Sequence, residues 1–514
     1  MNRYEKEGLM GARMQAPMGD RTVVTELSEE FSLPDYQPEM KRLLRVRATV
    51  LPADQYIGAG NAECAGRIDY SILYTGNDGA LYCTSQSGEY QFSVPLEIPS
   101  DFEASEGIVC NVESLPEQTS GRVVAPRKLA VKCKLRSRVR LYGTRMLSDA
   151  MECDSSMERL CGESEYAAVF FGKSDVLQLA DEILLDDRDG NLRVISADGQ
   201  VFISEANAGS GAVHCKGEVC LKLLCCRDDG VEQSTPYAVM RRIPLSESVT
   251  AEGTEVNCEA CAHGVCSDVQ ITVEDGRILC EVGIQLAVKA MRRERIAYTR
   301  DLYSTERMCE NAYRSVEFPS MIKCCNGNVS LNTTLTLEEA GIRSGLELVD
   351  LCGSAVLGAP EQEKGKYRFV GKCRFHAVLS DGEELSAQEF EVPFRYEIED
   401  GRMLPTDYET AVDVITCRGK IDGERIGVDA ELAIAMSLCG KDELKLLSEA
   451  TFGEPHKHEG AVYTVCYPDR ADTLWSVAKR YHCAISQLSE RNHLAAAPAA
   501  DAADSLAGVR FLLI

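Results

Sequence analysis

Cys64–Gly79 reads CAGRIDYSILYTGNDG, and behind Gly66 the residues Ile68, Tyr70, Ile72 and Tyr74 alternate with polar ones until the chain meets Asp78-Gly79. Period-two alternation marks a strand with one face in a core, and Asp-Gly tolerates the positive φ of a tight hairpin turn. The arrangement returns at Cys215–Gly230, CKGEVCLKLLCCRDDG, with Val219, Leu221, Leu223, Cys225 and Asp229. It returns again at Val370–Gly382, VGKCRFHAVLSDG, with Cys373, Phe375, Ala377, Leu379 and Asp381. Gly66, Gly217 and Gly371 stand 151 and 154 residues apart. A second set of strands starts at Gly121, Gly276 and Gly423, spaced 155 and 147.

Two landmarks with one period of about 150 residues indicate a threefold tandem array. Further alternating pieces, Tyr90 to Ile98 and Phe390 to Tyr396, make it mainly β. The expected units are residues 1–165, 166–315 and 316–453, followed by a small module, 454–514. The joint is placed at Gly453–Gly460, GEPHKHEG, which is rich in turn formers.

In the C-terminal module the period changes. Leu474, Val477, Ala478 and Tyr481 fall at i, i+3, i+4 and i+7, the apolar face of a short helix, with Asp472 placed to cap it. Tyr463 to Val465 read as a strand before it, Ile485 to Asn492 as a second helix, and Val509 to Ile514 as a closing strand. The expected order is β-α-α-β.

The whole chain has 514 residues, 45% of them hydrophobic and 26% charged, the usage of an ordinary folded protein. Its 55 basic and 81 acidic side chains give a net charge of −26, whose field repels phosphate. Neither nucleic-acid binding nor attachment to an anionic membrane is expected. Met1 to Thr22 lacks the apolar stretch of a secretory signal, and no segment approaches the roughly 20 apolar residues of a membrane span, so a cytoplasmic location without membrane insertion is expected. The 23 cysteines are scattered through a chain large enough to need no staples, and most read as small buried hydrophobes.

The module resembles a LysM domain through Tyr463, Thr464, Val465, Asp472, Thr473, Leu474, Trp475, Ala478, Tyr481, Leu488 and Asn492. In glycan-binding LysM domains the N-acetylglucosamine groove lies between the loop before the first helix and the loop after the second. The resemblance therefore implies an interaction face of Asp472, Thr473, Leu474, Trp475, Asn492, His493 and Leu494. The alternative reading of Leu474 and Trp475 is the core of a small module. The sequence departs from the family pattern at Ala471, Pro468 to Arg470 and Ala484, where glycine, a shorter loop and a capping Thr or Ser are usual.

The array, through Phe31 to Val50, the Ile68 to Tyr74 alternation and Tyr90 to Pro99, resembles SPOCS domains of endospore-forming bacteria. SPOCS repeats followed by one terminal LysM resemble the SipL-like spore coat assembly proteins. The resemblance implies a non-enzymatic scaffold in the mother-cell cytoplasm, at the forespore surface. Its LysM domain would dock on the ATPase of the coat's basement layer, and its array would contact other coat proteins. The alternative is a peptidoglycan-binding wall protein.

Candidate chemistry is sparse. Cys258, Cys261, His263 and Cys266 have the ligand types and spacing to close a tetrahedral zinc site. The alternative is packing, since Cys110 stands near the matching place of the first unit with no companions. Adjacent pairs Cys225-Cys226 and Cys324-Cys325 point to opposite faces of a strand. Gly58 to Gly60 lacks the context of a phosphate loop and reads as a turn. The acidic runs Asp186 to Asp189 and Glu361 to Glu363 read as solvated loops. No catalytic pair and no cofactor are expected.

Overall fold

The computed structural model describes residues 13–58, 60–103, 107–147, 155–185, 192–227, 236–274, 276–399, 405–456, 464–494, 501–502 and 505–514. The expected turn at Asp229, the acidic run at 186–189, Ala59 and Tyr463 lie outside these residues.

The first seven strands are β1 (Arg13–Ser32), β2 (Met40–Val50), β3 (Asp54–Ile57), β4 (Asn61–Gly76), β5 (Leu81–Pro95), β6 (Val109–Ala125) and β7 (Lys128–Met146). They form two antiparallel sheets, β1-β7-β6 and β2-β4-β5, in which β3 continues the line of β2 along β4. The next seven repeat the plan: β8 (Met157–Lys173), β9 (Leu177–Leu184), β10 (Leu192–Ala208), β11 (Ala212–Arg227), β12 (Tyr237–Thr250), β13 (Glu259–Glu274) and β14 (Arg277–Ser304). Here β8 and β9 pair with successive lengths of β14, β13 lies on its other side, and β10-β11-β12 is the meander. One residue pair, Asn207 with Glu259, joins the two halves into a seven-stranded sheet. The last six, β15 (Arg307–Thr336), β16 (Glu347–Glu363), β17 (Lys366–Ser380), β18 (Leu385–Glu399), β19 (Asp407–Asp422) and β20 (Arg425–Pro455), give β15-β20-β19 and β16-β17-β18.

In each repetition the core lies between the two sheets, because alternation sends one face of each strand inward. Ile68, Tyr70, Ile72 and Tyr74 of β4, Val219, Leu221, Leu223 and Cys225 of β11, and Cys373, Phe375, Ala377 and Leu379 of β17 are all buried. Gly79 and Gly382, at φ 80° and 94°, make the hairpin turns the Asp-Gly pairs foretell.

The far ends of these central strands lose their alternation, and the reason is tertiary. Leu73, Leu224 and Val378 point away from their own cores yet are 1% exposed each. They meet in one apolar cluster with Leu44, Leu81, Ile195 and Cys226, so all three repetitions contribute to it. Their cross-strand partners are Arg45, Ser196 and Asp350, three residues at one register position. Arg45 donates to Asp350 at 2.6 Å, Lys222 pairs with the same carboxylate, and Asp198 stands 3.7 Å from both Arg45 and Arg47. Burial would raise the Asp350 carboxyl, but Arg45 and Lys222 hold it down at about 2.

The other ends of the units meet similarly. Arg140, Lys289 and Ser437 hold equivalent places in β7, β14 and β20, facing Asn111, Cys261 and Glu409 across the ladders. Glu409 pairs with both Arg140 and Lys289, and Lys289 donates to Ser437 at 2.8 Å. Tyr142, Met291 and Cys439 pack beside them in a second shared cluster. Three repetitions of one plan thus close on one another, and at each junction a carboxylate, Asp350 or Glu409, pairs with basic residues of the other two.

Several expectations move. Gly121 does not start a strand; it lies inside β6, and the strand expected from it, β7, begins at Lys128 after a hairpin at Pro126 and Arg127. Counted from strand starts, Lys128, Arg277 and Arg425, the period is 149 and 148. The expected joints at 165/166, 315/316 and 453/454 fall inside β8, β15 and β20, because alternation runs on through long terminal strands. Glu361 to Glu363 are exposed but belong to β16.

Candidate functional site

The C-terminal module comprises β21 (Val465–Cys466), α1 (Leu474–Arg480), α2 (Ile485–Arg491) and β22 (Leu512–Leu513), in the expected order. Its first helix is capped by Thr473, not Asp472. Thr473 Oγ1 accepts from the Ser476 amide at 3.1 Å, and Ser476 Oγ accepts from the Thr473 amide at 2.9 Å, a capping box. Asp472 sits one residue too early for the cap. It instead accepts from the Asp469 amide and from Arg480 at 2.5 Å, bonds that hold its carboxyl below the usual range. Asn492 accepts from the Leu513 amide at 2.6 Å and donates to the carbonyls of Leu488 and Leu513, which ties β22 to α2. Leu474 is in the core, and Leu494 packs against it. His493 is exposed, in a left-handed turn at φ 51°.

Trp475 does something the sequence does not foretell. It is 5% exposed, packed edge-on against Tyr303 of β14 at a ring separation of 5.0 Å, and its indole N–H donates to Asp301 at 2.9 Å. Lys479, one turn on, donates to both oxygens of Asp301 at 2.6 and 2.7 Å. Burial would raise the Asp301 carboxyl, but Lys479, Tyr313 and Trp475 together hold it below its ordinary value. Tyr303 donates to the Cys483 carbonyl at 2.8 Å. The second helix starts at Ala484, which has no side chain to cap it, and Glu158 of β8 accepts from the Ile485 amide at 3.2 Å. The missing cap is supplied by the array.

The seven residues expected to form one interaction face therefore divide. Asp472, Thr473 and Asn492 build the module, Leu474 and Leu494 belong to its core, Trp475 anchors it to β14, and only His493 stands free at the surface. Asp301, Tyr303 and Glu158 complete the seat. Nothing local in the sequence marks them, since Trp475 and Asp301 are 174 residues apart. Tyr481, expected on the apolar helix face, is 36% exposed because the helix ends at Arg480. At the joint, His456 follows β20 and stacks on His482 at a ring separation of 3.6 Å.

The four candidate zinc ligands do not converge. Cys258 packs in the core of the second unit with Cys266 against it, Cys261 lies in the cluster shared by all three units, and His263 bonds Asp413 at 2.6 Å. A bulge between Cys266 and Asp268 further turns the strand. Among the described residues no three His, Cys, Asp or Glu side chains are grouped to hold a metal ion. Cys225 and Cys226, like Cys324 and Cys325, do part to opposite faces, each residue joining a different cluster.

Two cavities lie at the unit junctions, about 50 Å³ beside Arg140, Lys289 and Asp407 and about 30 Å³ beside Asp198, Lys222 and Cys417. Each has room for a few waters, against the roughly 300 Å³ of a small-molecule site. No helix among the described residues is long and apolar enough to cross a membrane. No protein-family model, no curated protein and no solved structure matches the chain.

Proposed function

We propose that this chain is a non-enzymatic assembly scaffold of the spore coat, a rigid β body that presents a LysM-like module to the ATPase of the coat's basement layer. The observation that carries the reading is the seating of the module on β14 and β8. Asp301, Tyr303 and Glu158 fix it to the array at three points, so a partner held by the module is held at a set position relative to three long β units. A scaffold needs that rigidity, because association costs less when the binding surface is pre-organised. Sheet edges such as β5, β12 and β18 give the array strands that can take part in further protein contacts. The working place in this reading is the mother-cell cytoplasm at the forespore surface.

The Asp472-Thr473-Leu474-Trp475 motif favours a second reading, a peptidoglycan-binding wall protein. Sedimentation of the full chain with insoluble peptidoglycan, beside its capture by the immobilised ATPase, separates the two. Capture by the ATPase alone is expected; sedimentation with peptidoglycan alone would replace the scaffold reading with the wall-binding one.

A further inference from the structure

With Trp475 and Leu474 committed inside the fold, a partner of the module must use another face. Pairing of Val465 with Leu513 and Cys466 with Leu512 defines the small sheet. Alternation sends Cys466 and Leu512 inward onto the helices. It sends Val465 and Tyr467 outward, and Phe511, two residues before Leu513, outward on the neighbouring strand's side of the same face. These three are 47%, 74% and 53% exposed. Three large apolar side chains on one face of so small a module are the composition of a binding surface rather than a solvated one.

The charge beside this face is basic. Arg470 follows Tyr467 and Arg510 precedes Phe511; both are exposed, and neither has a carboxylate partner among the described residues. Nearby, Arg480 is neutralised by Asp472 and Arg300 by Asp501. Asp469 is the single acidic side chain in residues 465–470 and 510–514. In a chain of net charge −26, two free arginines flanking exposed aromatics are a local reversal of sign. Aromatic side chains with arginine are the residues that dominate protein interfaces.

We propose that the outer face of β21 and β22 docks an acidic, apolar-bearing segment of a partner protein, its apolar side chains over Val465, Tyr467 and Phe511 and its carboxylates on Arg470 and Arg510. The proposal rests on the scaffold reading, in which that partner is the basement-layer ATPase.

The test titrates the full chain against the purified ATPase as wild type, as Tyr467→Ser with Phe511→Ser, and as Arg470→Glu with Arg510→Glu. Thermal melts check that each variant stays folded, which exposed positions permit. Affinity should fall by about 30-fold or more in the aromatic pair and about 10-fold in the arginine pair. Added salt should weaken the wild type more than the arginine variant. Wild-type binding with both variants within twofold of it would overturn the surface and leave the scaffold reading standing. Loss in the aromatic pair alone would overturn the acidic occupant. No binding by the wild type would sink the scaffold reading and this inference with it. Binding of an N-acetylglucosamine oligomer that the aromatic pair abolishes would replace the protein occupant by a glycan.

Discussion

The indole N–H of Trp475 donates to Asp301 at 2.9 Å across the boundary between module and array. Asp301 also accepts from Lys479, Asn311 and Tyr313, so one carboxylate of β14 gathers side-chain donors from α1 and β15. Replacing it with alanine strands four donors at a largely buried spot. Asp301→Ala should therefore loosen the module by about 1.5 to 3 kcal/mol, the range for hydrogen bonds to a charged group. Trp475 is the only tryptophan, so its emission reports this seat alone. A red shift in the variant, with far-UV circular dichroism unchanged, is the expected result.

Glu158 supplies from β8 the cap that Ala484 lacks. Glu158→Ala should speed amide exchange across Ile485–Arg491, with a loss of about 1 kcal/mol as for other lost caps. Adding Ala484→Ser should slow that exchange again by providing a cap in place. If the serine fails to rescue, Glu158 acts through packing and not through the Ile485 amide.

The array was legible because its signal is local. Ile68 to Tyr74 and their counterparts needed only period two, and the two Asp-Gly turns that the structure describes needed only a tolerance for positive φ. The order of the module's elements was legible for the same reason, through Leu474, Val477 and Ala478. What escaped is long-range. Leu73, Leu224 and Val378 depart from alternation because the three units share them in one cluster. Trp475 turns inward to Asp301, a residue with no sequence mark. The four candidate metal ligands are split because opposite faces of their segment serve different cores.

His456 and His482 stack at the joint, and burial, aided by the charge of His456, holds His482 below its ordinary value. A histidine with a depressed folded pKa favours the folded form while both states are neutral. That contribution is present above about pH 6.5, where the unfolded histidine also stays neutral, and is lost as pH falls below it. The His456 ring bonds the Ser304 carbonyl, and among the described residues no carboxylate is paired with either ring to relieve their repulsion. Acidification from about pH 8 to 5.5 should shift Trp475 emission toward the red, and His482→Gln should flatten that profile. An unchanged profile in the variant would assign the transition elsewhere.

The last relationship concerns how three similar units choose one arrangement. Arg45, Ser196 and Asp350 occupy one register position in the three units, a basic, a neutral and an acidic residue, and Arg45 and Lys222 both pair with Asp350 there. Three arginines or three aspartates there would leave like charges facing in a buried place, which costs several kcal/mol per ion. The charges therefore specify which unit faces which, while the surrounding Leu73, Leu224 and Val378 supply the adhesion. Removing one partner should be severe: Asp350→Ala leaves Arg45 and Lys222 buried without it, a loss of about 3 to 5 kcal/mol. Replacing the whole set, Arg45→Met, Asp350→Leu and Lys222→Met, should restore stability at neutral pH. The Asp350 carboxyl is held down at about 2, so its contribution is full above the ordinary aspartate range and lost as pH falls from about 4 through 2. Urea unfolding should then show the wild type losing more stability than the triple variant over that interval. Equal losses would mean that these ions neither select the arrangement nor stabilise it.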